Sequence, residues 1–462
     1  MIGRLSFSLN GHAWALPGWL PGVLLLIGTA VLGPQLGALS RPLFILGCVI
    51  VGWDAWRRGP AVHLSTVLIL FAFSPLVRRI VDLSVGYDTT GLMLVGPLLA
   101  ILAPIEKLPS LLSRGGSYGR QIPPILIVAG CVTYAAMITL LQGDWMNTAT
   151  GILKWFAPLI YAAVLSESAD RDEVLRAASS AFLVILPVTG LIGIEQYIDP
   201  PSWDRYWMQF APIMSVGQPI PYGVRVFSTV NGPASFATFT AAGILLVWFL
   251  RSEWYARLLV VPAALALLLS LYRTAWMSLG VGILFCLAFQ STRRQARLFL
   301  GSVIAIVAAA GTLGPFAEVI GERMMTLVQG SQDGSAQERL EQYVAMWNQS
   351  ESAPFGIGFT TVDVGSAGTM AIDGLIIYCW ISMGIAVGLI CLFGLVWAAA
   401  NAIKAALRDD RKEAVVIGAL GCGALIQLPL GNIASGELGF LFWTFAALAS
   451  ANTHRTAAGG AT

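Results

Sequence analysis

The chain carries little charge for its size. Only 11% of its 462 residues are Asp, Glu, Lys or Arg, whereas a typical soluble domain has about 25%. Hydrophobic residues make up 56%, and the mean hydropathy is +0.75. A water-soluble domain could not bury so much apolar surface, so the composition excludes the soluble globular, fibrous and disordered classes. The net charge of +2 gives no indication of a nucleic-acid partner.

Metal-binding and redox residues are also scarce. The chain has three histidines, and its six cysteines form no C-x-x-C pair and all lie in apolar runs. We interpret the cysteines as small buried hydrophobic residues and predict no metal site and no disulfide framework. We predict no cofactor either.

Long apolar runs predict an all-α, polytopic membrane protein, because a bilayer-crossing helix needs about 20 mostly apolar residues. Fourteen candidate spans can be marked, at 20–37, 41–56, 62–77, 89–104, 122–141, 151–166, 177–197, 231–250, 255–271, 273–291, 297–316, 372–402, 413–431 and 434–451. The residues before the first span lack a small-residue cleavage site, so we expect a short tail and not a removed signal peptide. No symmetry relates the two halves, as it does in many transporters.

The distribution of Lys and Arg predicts the orientation. With the N-terminus in the cytoplasm, the cytoplasmic segments hold twice as many Lys and Arg residues as the outer segments, as the positive-inside rule requires. Both termini are then cytoplasmic, and two long outer loops lie at 198–230 and 317–371. Apolar residues at helical spacing predict two short amphipathic helices in the second loop. P-F-G-I-G-F at 354–359 predicts a turn.

Arginines on the predicted outer side are the most informative charged residues. Seven lie in or beside outer loops: Arg78, Arg79, Arg205, Arg225, Arg273, Arg323 and Arg339. A planar guanidinium matches two phosphate oxygens and stays charged at low dielectric, so the set indicates an anionic ligand, most simply a phosphate or pyrophosphate on a lipid. The alternative is that each arginine pairs with a nearby carboxylate such as Asp82, Glu322 or Glu338.

Two of these arginines have distinctive surroundings. Arg225 begins R-V-F-S-T-V-N-G-P, where Ser228, Thr229 and Asn231 supply neutral hydrogen-bonding groups. Arg273 lies in an apolar stretch from 258 to 289, where a charge is costly unless it faces a cavity or a partner. Snorkelling from a turn at 270–272 is the alternative.

Asp373 is the most notable outer carboxylate, because it stands at the start of an apolar span. Partial burial raises the pKa of such an acid unless a cation keeps it ionised, in which case it can accept a proton from a hydroxyl. A helix N-cap is the alternative. Glu195 and Glu437 are secondary candidates that could simply pair with arginines.

Several segments resemble the O-antigen ligase and Wzy-type polysaccharide polymerase family of bacterial envelopes. In order, they are R-V-F-S-T-V-N-G-P-A-S-F-A (225–237), L-L-L-S-L-Y-R-T-A-W-M-S (267–278), Q-E-R-L-E-Q-Y-V-A-M-W (337–347), P-F-G-I-G-F (354–359) and D-G-L-I-I-Y-C-W-I-S-M-G (373–384). E-Q-Y-I-D-P-P-S-W-D-R-Y-W-M at 195–208 is similar to the exopolysaccharide polymerase branch. The family order is kept across about 225–384.

The resemblance implies a metal-independent, inverting glycosyltransferase of GT-C type in the bacterial inner membrane, with its active face in the periplasm. Its substrate would be a glycan on undecaprenyl diphosphate, and its partners would include membrane lipids, a chain-length regulator and a flippase. By position, Arg225, Arg273 and Arg339 become the diphosphate clamp, with Arg323 beside them and Asp373 activating the acceptor. Secondary positions are Asn231, Glu195, Arg205 and Glu437.

The motifs depart from the family pattern at three places. The ligases usually have His where this chain has Asp373, which favours a polymerase over a ligase. Gly374 replaces the usual Asn, and Gly232 separates Asn231 from its Pro. A ligase acting on lipid A-core and a lipid-linked oligosaccharide flippase remain the alternatives.

Overall fold

The protein is almost entirely helical over the residues that the computed structural model describes, which are 8–9, 12–13, 17–113, 122–211, 214–310, 344, 347, 353–359 and 374–451. Two strands of two residues each, β1 (Ser8–Leu9) and β2 (His12–Ala13), pair antiparallel near the N-terminus, and an isolated bridge joins Gly217 and Val224. The helices are α1 (Leu20–Leu36), α2 (Ser40–Arg58), α3 (Pro60–Val85), α4 (Val95–Ile101), α5 (Leu108–Leu112), α6 (Ile122–Leu141), α7 (Trp145–Ser168), α8 (Arg171–Ile198), α9 (Ser202–Phe210), α10 (Pro233–Leu250), α11 (Trp254–Leu269), α12 (Arg273–Ala288), α13 (Gln290–Ala310), α14 (Leu375–Arg408), α15 (Lys412–Gln427) and α16 (Gly436–Leu448).

The prediction of an all-helical, polytopic membrane protein agrees with this architecture. Eight helical segments of the described chain are long and apolar enough to cross a membrane, by length and composition. Three shorter apolar helices, α11, α12 and α16, accompany them. Helical residues lie in each of the fourteen predicted spans, the fourth as the broken series 92–112. Fourteen crossings and a GT-C fold stay predictions.

Local sequence explains where several helices begin. The Asp144 carboxylate accepts a hydrogen bond from Asn147 N at 3.0 Å and so caps α7. Asp170 caps α8 in the same way through the amides of Asp172 and Glu173. Proline occupies the first position of α3 and of α10, where its missing N–H costs no helical hydrogen bond.

The centre of the bundle is formed by α3 and α10, whereas α1 and α2 lie at its edge. On α1, Leu24, Ile27 and Val31 are 60%, 57% and 62% exposed. Such a face suits the hydrocarbon of a membrane, in which exposed apolar side chains carry no penalty. Five of the six cysteines are buried and Cys422 is half-buried, and all six are free, in agreement with their interpretation as small apolar residues.

The bundle has two distinct ends. We call the end that carries residues 199–232, between α8 and α10, the long-loop face; α9 lies within it. The opposite end, where α8 begins and α14 ends, is the short-loop face. There the carboxylate of Asp409 receives Arg171 at 3.0 Å and Arg411 at 2.9 Å, and Arg411 also reaches Asp172 at 3.1 Å.

This short-loop cluster gives stability a pH dependence. Burial would raise the pKa of Asp409, but the bonds from Arg411 and Arg171 outweigh it and lower the pKa from 3.8 to about 2. A lowered folded-state pKa stabilises the protein above the unfolded pKa of about 4, and this contribution is lost as the pH falls to about 2. We expect Asp409→Asn to destabilise the solubilised protein at pH 7 by on the order of 1 kcal/mol after solvent screening.

Thermal unfolding in detergent measures this effect. The difference in unfolding temperature between the Asp409→Asn variant and the unmodified protein should narrow as the pH falls from about 4 to about 2. Asp54→Asn is the matched control, since the Asp54–Arg58 pair is exposed and contributes little. A gap that stays constant across this range would contradict the assignment.

A sharp kink divides α14 at Gly384, whose φ of 73° and ψ of 172° are not helical. The carbonyls of Ile381 and Ser382 therefore lack their helical partners, and the amides of Ile357 and Gly358 bond them at 2.9 and 3.0 Å. The predicted turn at 354–359 is confirmed, because Gly356 N donates to Ala353 O at 3.0 Å. This segment thus braces the kink.

The amphipathic helices predicted in the second long loop lie largely outside the described residues. Val344 and Trp347 are helical, and the Trp347 ring meets Trp380 edge to face at 5.9 Å.

Candidate functional site

Two of the predicted arginine segments meet at the long-loop face. The Arg225 guanidinium donates to the carbonyl of Leu271 at 3.3 Å, and Val226 N donates to Leu269 O at 3.2 Å. Arg273 is the first residue of α12, two residues after the carbonyl that Arg225 reaches. We call the segments 225–231 and 269–273 the arginine junction.

Arg273 stands at the end of the bundle and not within its apolar thickness. A turn separates α11 from α12, with Ser270 N bonded to Ala266 O at 3.0 Å and Leu271 N bonded to Leu268 O at 3.1 Å. The predicted alternative, a turn at 270–272 that brings Arg273 to the membrane edge, fits this geometry. The Arg225 guanidinium bonds the carbonyl of Leu271 in this same turn.

Backbone strain is concentrated at the junction. In the described chain, the non-glycine residues with positive φ are Tyr222 (60°), Ser228 (50°) and Leu271 (53°). A left-handed conformation costs a residue with a Cβ roughly 1 kcal/mol or more, and such residues persist where surrounding contacts fix them, often at functional sites. Two of the three belong to the junction, and Tyr222 is three residues before it.

A buried ion pair holds Arg79 next to the arginine junction. Its Nε lies 3.1 Å from Asp204 Oδ1, and both side chains are 0% exposed. Burial raises the pKa of the Asp204 carboxyl, while the charge of Arg79 and a hydrogen bond from Gln196 oppose that rise. The Gln196 amide donates to Asp204 at 2.6 Å.

Two other outer arginines follow the predicted alternative of pairing with carboxylates. Arg78 and Arg41 share Asp82, with N–O distances of 3.2 and 3.0 Å. Arg205 contacts the carboxylate of Asp199 near the surface. Of the seven arginines, the structure therefore brings the segments of Arg225 and Arg273 together and assigns Arg78, Arg79 and Arg205 to acidic partners.

Of the remaining predicted charged residues, the structure describes Glu195 and Glu437. Arg323, Arg339 and Asp373 lie outside the described residues. Glu437, in the first turn of α16, accepts from Ser235 Oγ at 2.8 Å. Glu195 is exposed near the end of α8.

A third segment approaches the junction beside Arg273. Tyr272 Oη lies 3.5 Å from Leu430 O. Gly374, which follows Asp373 in the chain, has φ of 104° and lies against Pro429; a Cβ there would stand 2.5 Å from Pro429 O. Leu375 N bonds Leu428 O at 3.0 Å. The start of α14 and residues 428–430 therefore adjoin the turn that carries Arg273.

Asn231 has an unusual environment. Its carboxamide oxygen is buried and makes no hydrogen bond within the described residues, and the same is true of the Thr229 hydroxyl. Buried polar groups are normally paired, and an unpaired one requires an explanation such as a bound ligand or water. Both groups belong to the arginine junction.

A partly open apolar cavity lies between α10, α12, α14, α15 and α16. Its apolar lining includes Ala241, Leu245, Ala424, Leu441 and Phe445. Its polar side chains satisfy one another, since Thr238 donates to Gln427 at 2.7 Å and Gln427 donates to Ser278 at 2.8 Å. Ser278 is five residues after Arg273, a rise of about 7.5 Å along α12.

No group of three or more His, Cys, Asp or Glu side chains in the described part of the chain is placed to hold a metal ion. The arrangement offers cationic and neutral hydrogen-bond donors at the junction and an apolar space below it. Such a site suits an anionic headgroup with an apolar tail.

Sequence reasoning missed Gln196, whose carboxamide joins Asp204 to the junction. Its Oε1 accepts from the amides of Phe227 and Ser228 at 3.0 and 2.8 Å. A single glutamine near the end of an apolar helix carries no periodic signal, and its partners in the junction, Phe227 and Ser228, lie about thirty residues away.

Residues 258–373 match the family model described as O-antigen ligase. No curated protein matches the chain. The matched range includes Arg273, Arg323, Arg339 and Asp373, and it begins after Arg225. The chain is therefore similar, over this range, to membrane proteins of the O-antigen ligase and Wzy family.

Proposed function

We propose that the chain is a polysaccharide polymerase of the bacterial inner membrane. It transfers a glycan from undecaprenyl diphosphate to a hydroxyl of another lipid-linked repeat unit, at a periplasmic long-loop face. The observation that carries the proposal is the arginine junction, where the Arg225 guanidinium bonds the turn that leads to Arg273. Two arginines from distant segments at one membrane edge suit a lipid diphosphate.

The chemistry follows from where charge develops. The bond between the anomeric carbon and the diphosphate oxygen breaks, and that oxygen keeps the electron pair. Arg225 and Arg273, with Arg339, stabilise the growing negative charge. The acceptor hydroxyl oxygen forms the new bond to the anomeric carbon from the opposite face, and its proton passes to Asp373. Configuration at that carbon inverts.

The apolar cavity is proposed to take part of the isoprenoid chain. It begins near Ser278, about 7.5 Å along α12 from Arg273, so a lipid whose diphosphate lies at the junction can extend into it. The lining residues are almost all apolar, which suits hydrocarbon and not sugar.

Filling the cavity tests this placement. We expect Ala241→Phe to weaken binding of undecaprenyl diphosphate about tenfold, because each displaced CH₂ group is worth about 0.8 kcal/mol. Binding of dimethylallyl diphosphate, whose five-carbon group is too short to reach the cavity, should change little. Gly301→Phe is the control, since a Cβ at Gly301 meets nothing within 4 Å. Equal weakening of both ligands would contradict the placement.

The second candidate is an O-antigen ligase, which the description of the matched family favours. A ligase would use the same donor and lipid A-core as acceptor. Asp373, in place of the His usual in the ligases that the chain resembles, favours the polymerase.

An in vitro reaction distinguishes the candidates. Purified protein is mixed with lipid-linked repeat units isolated from cells that lack the protein. We expect the protein to form a ladder of polymer from repeat units alone. A product that forms only when lipid A-core is added would indicate a ligase. If neither product forms in vitro and cells without the protein carry no repeat units outside, the chain is a flippase and the proposal fails.

A further inference from the structure

Among the outer arginines that the structure describes, Arg79 is the most completely buried, and its contacts are with the arginine junction. It lies on α3, while the groups it holds belong to residues 228–230. Its Nη1 donates to Val230 O at 2.9 Å, and its Nη2 donates to Ser228 O. The Phe227 ring stacks with its guanidinium at 4.9 Å. All of its described hydrogen-bond acceptors outside the ion pair are backbone oxygens of this segment.

Asp204 and Gln196 connect Arg79 to the amides of the same segment. Asp204 pairs with Arg79 at 3.1 Å and accepts from Gln196 at 2.6 Å. The Gln196 side chain in turn accepts hydrogen bonds from the amides of Phe227 and Ser228. Two amides and two carbonyls between 227 and 230 are therefore fixed by side chains from α3 and α8, with α9 joining the two.

A buried ion pair is weak evidence for stability, because desolvation offsets most of its Coulomb attraction and apolar residues often replace it without loss. Here the pair instead orients the Arg79 guanidinium towards the carbonyls of residues 228 and 230. Ser228 has a left-handed φ of 50°, a conformation that persists only when surrounding contacts fix it. Its carbonyl accepts from Arg79 and its amide donates to Gln196, while its hydroxyl donates to Thr189 O at 2.5 Å. Arg79 and Gln196 therefore hold the backbone of Ser228, and Thr189 holds its side chain.

We propose that Arg79, Asp204 and Gln196 form a positioning unit, which holds residues 225–231 in the conformation that brings Arg225 to the Leu271 turn. Arg79 touches no ligand and acts through Arg225. The importance of this unit for activity rests on the proposed function, whereas its control of the segment does not.

Arg78 provides a matched control on the same helix. Its side chain is 6% exposed and pairs with the fully buried Asp82 at 3.2 Å. It also bonds Asp88 O, so its contacts lie at the corner after α3 and not at 225–231. Replacing either pair by apolar residues removes a buried ion pair, and the loss of Asp82 also takes a partner from Arg41, but only replacement of Arg79 and Asp204 should release the junction.

Hydrogen–deuterium exchange measures the segment without any activity assay. We expect Arg79→Met with Asp204→Leu to speed amide exchange in peptides covering 225–231 at least about tenfold, and Arg78→Met with Asp82→Leu to leave it unchanged. Arg79→Lys, which keeps the charge but loses the planar fork, and Gln196→Met, which removes the amide acceptor, serve if the double variant does not fold. Unchanged exchange in folded Arg79 and Gln196 variants would overturn the proposal.

A coupling experiment links the segment to ligand binding, with undecaprenyl diphosphate in nanodiscs as the probe. In the unmodified protein and in the Arg78–Asp82 variant, Arg225→Ala should weaken binding at least about tenfold. In the Arg79–Asp204 variant it should weaken binding less than about threefold, because neighbouring effects are not additive when one change has already displaced the other residue.

The outcomes separate the two proposals. Full additivity in both backgrounds would overturn the positioning role while leaving the clamp intact. If Arg225→Ala has no effect in the unmodified protein, the diphosphate clamp fails, and faster exchange at 225–231 would still support the positioning of that segment.

Discussion

Polymer formation is expected to fall at least about 100-fold when Arg273 is replaced by alanine, the usual cost of removing one donor that stabilises transition-state charge. Arg273 stands first on α12, beside the turn that Arg225 bonds. Its position at the helix start also adds the positive end of the helix dipole to its charge. Arg225→Ala should have an effect of the same order.

The polymer ladder made from lipid-linked repeat units by purified protein is the measurement. Arg58→Ala, at the opposite end of the bundle and paired with the exposed Asp54, is the control and should retain full activity. The activity of Arg273→Lys should lie between those of Arg273→Ala and the unmodified protein, because an ammonium keeps the charge without the bidentate fork. Chain growth at the normal rate in folded Arg273→Ala would refute the clamp.

Loss of the folded protein is the second large effect, and it is expected for Gly358→Val. Gly358 has φ of 75°, and a Cβ there would stand 2.3 Å from Thr139 Oγ1 and 2.9 Å from Thr139 N. Overpacking together with a forbidden conformation should cost on the order of 3 kcal/mol. The segment would leave α6 and expose the carbonyls at the α14 kink.

Gly356→Val should behave similarly, since its Cβ would stand 2.5 Å from Gly384 N. Gly130→Val on α6 is the control, because a Cβ there meets nothing within 4 Å. Size-exclusion profiles and thermal unfolding in detergent measure the effect. If Gly358→Val unfolds at the same temperature as Gly130→Val, the segment does not brace the kink.

The apolar runs predicted the helices well because backbone polar groups in a membrane must be satisfied within each segment, which leaves the helix as the solution for a long apolar run. The aspartates before α7 and α8 and the prolines at the starts of α3 and α10 marked helix starts in the usual way. The kink at Gly384 was not foreseen, since glycine within an apolar helix is common in membranes.

The site was harder to read from the sequence than the helices. Arg78, Arg79, Arg225 and Arg273 all adjoin apolar runs, and composition cannot distinguish an arginine that binds a ligand from one that holds a backbone. The distinction depends on partners far along the chain, such as Asp204 for Arg79 and Leu271 for Arg225. Only packing of the helices brings these groups together.

The left-handed residues at the junction have a consequence for engineering. Glycine at position 228 or 271 would relieve an unfavourable φ, but at 228 it would also remove the hydrogen bond from the Ser228 hydroxyl to Thr189 O. A selection for heat resistance should therefore enrich the change at 271 more than the change at 228. The same glycines would loosen the backbone that sets the direction of Arg225. Under the proposed function, thermostable variants obtained in this way should form polymer more slowly, and the two positions would measure how far stability is gained at the expense of the proposed activity.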